Sequence, residues 1–263
     1  INLETNYYCR GSEQIPGRSQ MLHCWRSQGH GAEKTPQALQ NSCNIAFAHI
    51  ALKMGGETFY DYVKNFGVLE KTGIDLSGES KGVFFDKQLV TDTNKWGTAS
   101  LTSGSFGQTF KITPLQLVRA ISAVVNGGNL MEPYIVAEVI DADGKTVLKQ
   151  EPTVVRQVVS EQTSRHAAQI LESVVSEGTG RNAYVAGYRI GGKTGTAETI
   201  PRDKTNYVVS FMGYAPADDP QVIAIAIVNE PKGVYYGSQV AAPIVRQIFE
   251  NILPYLGIKE YNQ

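Results

Sequence analysis

Apolar positions recur most regularly in the last third of the chain. Gly187 to Glu198, Tyr207 to Tyr214 and Val222 to Asn229 each read as a strand, and only the turn residues Pro216-Ala217-Asp218-Asp219-Pro220 separate the last two. Connections that short join antiparallel neighbours, because a parallel crossover needs about a dozen residues or more. A closing helix is expected from about Ser238 to Leu253, with Val240, Ile244, Ile248 and Ile252 along one face.

Upstream the periodicity is helical. Thr35-Pro36 combines a capping hydroxyl with a proline at the first helical position and opens a short helix that breaks near Ser42. A second helix carries Ile45, Ala48, His49 and Leu52 to the stop Gly55-Gly56, and a third follows Glu57 with Phe59, Tyr60, Val63 and Phe66. Gly67 to about Ser103 reads as loop. Thr113-Pro114 repeats the cap and starts a helix through Leu115, Leu117, Val118 and Ile121 that ends at Asn126-Gly127-Gly128. Tyr134 to Ile140, Asp141 to Gly144 and Lys145 to Leu148 spell strand, turn and strand. Ser160 caps a helix with Ala167, Ile170, Leu171, Val174 and Val175 on one face. Residues 1 to 34 lack periodicity, apart from a short hairpin around Met21 to Trp25. The whole predicts a single α/β (α+β) domain built on an antiparallel sheet.

Composition removes several functions. Lys and Arg total 24 against 25 for Asp and Glu, so no field of one sign favours nucleic acid or an anionic membrane surface. The purest apolar run, Val222 to Val228, is far shorter than the roughly 20 residues of a membrane-spanning helix. The chain opens at Ile1 without a basic or apolar leader, so a leader or anchor is expected upstream. Its three cysteines, Cys9, Cys24 and Cys43, form no C-x-x-C pair. His23, Cys24, His30 and Cys43 are too irregularly spaced to predict a metal, and no cofactor is expected. One disulfide with a free thiol and three reduced thiols both remain open.

The chemistry concentrates at Gly187-Tyr188-Arg189-Ile190-Gly191-Gly192-Lys193-Thr194, which satisfies the G-x-x-x-x-G-K-[ST] phosphate-loop pattern and also runs into Lys193-Thr194-Gly195. A phosphate loop needs a helix after the lysine, and here Gly195 and the β-branched Thr194, Thr196 and Thr199 follow. A P-loop NTPase is therefore the remote alternative. On a strand beside a cleft the same residues fit together better. Lys193 places a positive charge against a carboxylate or a developing anion. Thr194 and Thr196 turn hydroxyls to one face, and Gly195 leaves room for a substrate backbone. The Thr196 amide would supply one oxyanion donor, worth about 3 to 4 kcal/mol in well-studied hydrolases. A second element, Ser42-Cys43-Asn44, falls at the break between two predicted helices, where side chains either cap the second helix or face a cleft.

Together, Ser42-x-Asn44 and Lys193-Thr194-Gly195-Thr196 resemble the second and third motifs of penicillin-binding protein transpeptidase domains. Gln40-Asn41-Ser42-Cys43-Asn44-Ile45-Ala46-Phe47, Glu70-Lys71-Thr72-Gly73-Ile74-Asp75-Leu76, Phe106-Gly107-Gln108, Thr113-Pro114-Leu115-Gln116 and Glu177-Gly178-Thr179-Gly180 are similar to class B members, which include division enzymes and the stage V sporulation type. The resemblance implies the penicillin-binding transpeptidase and serine β-lactamase-like fold, with helices on both faces of the sheet. It implies acyl transfer from a peptidoglycan stem peptide to an amine, and acylation by β-lactam antibiotics. By matched position Ser42 would relay a proton, Asn44 would bind the substrate amide, Lys193 would polarise Ser42, and Thr194 and Thr196 would hold the carboxylate. It further implies an extracytoplasmic protein with a single N-terminal membrane anchor, working with a glycosyltransferase. No Ser-x-x-Lys, the family's nucleophile motif, occurs in the 263 residues. Residues 1–263 are therefore expected to be a partial domain whose nucleophile lies upstream, inactive alone. A β-lactam sensor or non-catalytic paralogue is the alternative. Cys43 lies inside Ser42-x-Asn44, so pairing with Cys24 or Cys9 would tie the site to redox state, Cys24 and Cys43 being the favoured pair.

Overall fold

The computed structural model describes residues 2–199 and 206–261. Chain order is β1 (Asn6–Cys9), β2 (Ser12–Glu13), β3 (Leu22–His23), β4 (Gly31–Lys34), α1 (Thr35–Gln40), α2 (Asn44–Met54), α3 (Gly56–Asn65), α4 (Lys87–Thr91), α5 (Lys95–Ser105) and α6 (Pro114–Val125). There follow β5 (Asn129–Met131), β6 (Glu138–Ile140), β7 (Thr146–Lys149), β8 (Val154–Gln157), α7 (Glu161–Ser176), a 3-10 turn (Arg181–Ala183), β9 (Gly191–Glu198), β10 (Tyr207–Ala215), β11 (Val222–Asn229), α8 (Gly237–Val240) and α9 (Ala242–Tyr255).

The main sheet has the order β11-β10-β9 and is antiparallel throughout. Side chains alternate across β10, so its residues feed two cores. Phe211 and Ala215 join Val245, Phe249 and Leu253 of α9 on one face. Tyr214 joins Ala168 and Leu171 of α7 and Val125 of α6 on the other, and its hydroxyl donates to the Ala168 carbonyl at 2.9 Å. Helices thus cover both faces, as the fold class requires. Burying each large side chain contributes about 1.5 to 3 kcal/mol relative to exposure, so β10 is anchored in both cores.

Several expectations need correction. The first strand begins at Gly191 rather than Gly187, because Gly187 has a left-handed φ of 81° and Tyr188 closes a turn onto Val185. The closing helix is two helices, with the second restarting at Ala242. Its buried stripe is Val245, Phe249 and Leu253, one position away from the isoleucine face, and Ile244 is exposed. Residues 67–103 are not all loop, since α4 lies within them and α5 begins there. The α5 sequence is poor in helix formers but is held by the Asn94 side chain, which accepts from the amides of Trp96 and Gly97. Gly97 and Gly104 let it pack closely, and a Cβ at Gly97 would lie 2.0 Å from the Asp92 carbonyl oxygen. Thr35 is the first residue of α1, and Lys34 is the cap, its amide donating to Gln37 Oε1 at 2.7 Å. The second Thr-Pro signal behaves as expected, with Thr113 and Gln116 forming a reciprocal capping box.

The N-terminal segment was the least legible part. Its β1 pairs with β4, and β2 with β3, where only one local hairpin is expected. Gly11 and Gly29 permit the crossing of these strands: a Cβ on Gly11 would sit 1.9 Å from the Ser27 carbonyl oxygen, and one on Gly29 2.2 Å from that of Cys9.

Candidate active site

The strap between α1 and α2 carries the first group of candidates. Ser42 has a φ of 55°, unusual for a residue with a side chain and worth examining at a site. Its neighbours hold it there. The Cys43 amide donates to the Ala38 carbonyl at 2.9 Å, the Cys43 side chain is fully buried, and the Trp25 indole donates to the Asn41 carbonyl at 2.9 Å. Asn44 opens α2, with its side-chain amide donating to the His23 carbonyl at 3.1 Å. The strap is thus neither a simple cap nor a continuous helix, and its left-handed residue presents the serine to β9.

On β9, Lys193 reaches across to it. Its ammonium donates to Ser42 Oγ at 2.6 Å and to the Thr194 carbonyl at 3.2 Å. Burial pushes the Lys193 amine down to about 8 from 10.5, and among the described residues no carboxylate pairs with it to oppose the shift. A lysine so placed holds appreciable neutral amine near physiological pH, which a proton-transfer group needs.

β9 is an edge strand, with β10 on one side only. The carbonyls of Thr194 and Thr196 point to the free side, where they accept from Lys193 and from the Gln108 side-chain amide at 3.2 Å. In an antiparallel strand the amide and carbonyl of one residue share an edge, so the Thr196 N–H faces the same side. Thr194 Oγ1 lies 3.4 Å from Thr179 Oγ1, and Thr196 Oγ1 accepts from the Gly237 amide at 3.3 Å. Ser42, Lys193 and Thr194 are therefore brought together, with Thr196 farther along the same strand and the Asn44 side chain bonded to the His23 carbonyl.

The glycines of the octet serve packing. A Cβ on Gly191 would lie 2.3 Å from the Tyr214 hydroxyl, and one on Gly192 2.5 Å from the Phe211 ring. Gly195 faces Ser210, whose Oγ would be 2.5 Å from a Cβ there. Lys193 continues along a strand to Glu198, so no helix terminus follows it, and the phosphate-loop alternative is excluded. Two polar neighbours were missed as site residues, Gln108 and Thr179. Both lie in segments that carry the resemblance, and Thr179 is fixed by its amide and hydroxyl, each donating to the Gln40 carbonyl at 3.1 Å. The other shared segments are structural. Asp75 accepts from the amides of Ile135 and Val136, and Gln116 donates to the carbonyls of Val68 and Glu70.

Behind the strap the three cysteines are reduced and buried. Hydrogen bonding from Cys43 brings the Cys24 thiol down to about 5 against the opposing effect of burial, and the same bond, with burial and Glu33, pushes Cys43 up. The two expected partners are thus adjacent. His23 is exposed and His49 pairs with Glu13 at 3.0 Å, while His30 Nδ1 lies 3.7 Å from Cys24 Sγ.

The chain is similar to known proteins over nearly its whole length. A family model for the penicillin binding protein transpeptidase domain matches residues 1–250. Stage V sporulation protein D of Bacillus subtilis strain 168 is 45% identical over 265 residues, covering 98% of this chain and 40% of its own length. The peptidoglycan D,D-transpeptidase MrdA of Acinetobacter baumannii is 31% identical over 255 residues, covering 91% of this chain and 37% of its own. Penicillin-binding protein 3 of Mycobacterium tuberculosis, solved with ampicillin, superposes with a TM-score of 0.86 at 28% identity, covering 99% of this chain and 59% of that one. The chain spans about two fifths of the length of the curated relatives it matches.

Proposed function

Because the chain belongs to the penicillin-binding protein transpeptidase family, we propose that it is part of a D,D-transpeptidase domain that cross-links peptidoglycan stem peptides and is acylated by β-lactams. The contact between Lys193 and Ser42 carries the reading. A serine nucleophile attacks the carbonyl of the penultimate D-alanine, the terminal D-alanine leaves as its amine, and the acyl ester passes to an acceptor amine. The leaving amine needs a proton and the acceptor must lose one. Ser42, bonded to a lysine of lowered pKa, is placed to relay both, with Lys193 as the reservoir. Thr194 and Thr196 would hold the substrate carboxylate, Gly195 between them keeping that stretch free of a side chain. The Thr196 amide would donate to the oxyanion, and Asn44 would bind the substrate amide.

The 263 residues contain no Ser-x-x-Lys, so this reading assigns the acylated serine to sequence outside them and residues 1–263 to a partial domain. The full protein would act at the extracytoplasmic face of the membrane through an N-terminal anchor, beside a glycosyltransferase. The 45% identity to a stage V sporulation protein favours a sporulation role over a general one.

Fluorescent penicillin tests the reading. A chain extended upstream to include Ser-x-x-Lys is expected to label, and to label far more slowly as Lys193→Ala, while residues 1–263 alone stay dark. Label traced to Ser42, or an extended chain that never labels, overturns it.

A further inference from the structure

We propose that Cys9, Cys24, His30 and Cys43 form a structural zinc site that locks the Ser42 strap from behind. Their spacing in sequence gives no such signal. In the fold, however, the end of β1, the residue after β3, the residue before β4 and the residue before α2 converge, and one ligand atom from each lies within 4.8 Å of all the others. In a tetrahedral site with Zn–S of about 2.3 Å and Zn–N of about 2.0 to 2.1 Å, ligand atoms stand roughly 3.5 to 3.8 Å apart. The 3.7 Å between Cys24 Sγ and His30 Nδ1 already has that length.

Unpartnered polar atoms border the cluster. Among the described residues four buried side-chain atoms lack a hydrogen bond: Tyr7 Oη, His30 Nε2, Glu33 Oε1 and Arg119 Nη1. Three of the four surround this cluster. His30 is a member, Tyr7 packs against the same buried group as the cysteines, and Glu33 stands opposite Tyr7 in the β1–β4 ladder and perturbs Cys43. None of these three atoms is itself a ligand when His30 binds through Nδ1, so they mark a polar shell around the site, and the four converging ligand atoms carry the proposal. Three soft thiolates and one imidazole in tetrahedral reach select zinc over calcium or magnesium, which take oxygen ligands.

The protons balance simply. Zn²⁺ binds three thiolates and a neutral imidazole, releasing up to three protons and leaving the centre with one negative charge. A Cys24–Cys43 disulfide, by contrast, removes two electrons and two of the four ligands, so metal and disulfide exclude one another. Cys9 and His30 distinguish the two occupancies, because a disulfide needs neither. The metal would tie the small N-terminal sheets to Cys43, and hence to the backbone that holds Ser42 at its left-handed φ.

The test uses residues 1–263, reduced and freed of metal, and does not depend on acylation. One equivalent of Zn²⁺ per chain is expected to survive competition with a chromophoric chelator. Co²⁺ in its place is expected to give the intense visible bands of a tetrahedral ion and a thiolate charge-transfer band in the near ultraviolet. Cys9→Ser and His30→Ala are each expected to weaken zinc binding more than about 100-fold, beyond the 10- to 100-fold typical of outer-shell changes, whereas exposed His23→Ala leaves it unchanged. Zinc is also expected to slow hydrogen exchange at residues 41–45. The cobalt spectrum of the unaltered chain guards against a variant that merely fails to fold. Octahedral cobalt without a thiolate band, zinc affinity unaffected by Cys9→Ser, or a Cys24–Cys43 disulfide that forms equally fast with equimolar Zn²⁺ present each overturns the proposal.

Discussion

Replacing Lys193 by methionine should abolish a rise in stability that the unaltered chain shows between neutral pH and alkali. Lys193 titrates near 8 in the folded chain and near 10.5 when unfolded. At about 1.4 kcal/mol for each pH unit between those values, burial penalises the charged form by about 3 kcal/mol. The sign follows from proton counts. Below pH 8 both states carry the proton, and the folded state bears the whole penalty. Between about 8 and 10.5 the unfolded state binds more protons, so stability rises with pH. Above 10.5 both are neutral and the penalty is gone. Methionine has similar length and no charge, so Lys193→Met removes this dependence. It also breaks the bonds to Ser42 and the Thr194 carbonyl, which contribute about 1.5 to 3 kcal/mol each when charged. That loss sets the absolute level, so the pH-dependent part is the cleaner quantity. Urea unfolding of both proteins from pH 7 to 10.5 should show the unaltered chain gaining about 3 kcal/mol on the variant across the interval. A difference that stays flat across that range would mean Lys193 is solvated like any surface lysine and is no proton-transfer group.

Two further outcomes follow from packing and loop geometry. Gly192→Ala drives a methyl to within 2.5 Å of the Phe211 ring and 2.6 Å of the Met212 carbonyl oxygen, and should cost about 1 to 3 kcal/mol in chemical denaturation; a neutral effect would show that β9 is free to slide. Hydrogen bonds from the Ile135 and Val136 amides hold the Asp75 carboxyl below its usual range, so its contribution is present above the ordinary carboxylate pKa and lost as pH falls through the lowered value. Asp75→Ala should therefore speed hydrogen exchange at those two amides at pH 7, and make it match the unaltered protein at strongly acidic pH.

What could be read from sequence tracks where local and tertiary forces agree. The three main strands, the Thr113-Pro114 cap and the break at Ser42 are written in residues that act on their immediate neighbours. The closing helix was misjudged in its face because Ile244, Ile248 and Ile252 advertise a stripe, yet the helix restarts at Ala242 and the large ring of Phe249 takes the core. The α5 helix was hidden because its stability lies in contacts: Thr102, fully buried, bonds back to the Thr98 carbonyl and accepts from Arg18, a residue from the N-terminal segment. At the site, residue types named Lys193 and Ser42 and the resemblance paired them, but nothing in the 150 residues between them shows how the fold closes the 2.6 Å contact. Gln108 and Thr179 escaped for the same reason. The cysteine cluster was invisible because β1 pairs with β4 across glycines whose role is steric.

The outer edge of β9 has a cost that its sequence must contain. An exposed strand edge is a template on which any extended chain can add itself, including a second copy of this one. Here Gln108 occupies the Thr196 carbonyl and Lys193 that of Thr194, so the row is already partly claimed by side chains. Truncating Gln108 would therefore open the site to peptides and to self-association together, and conditions that crowd the protein would reveal the second before the first.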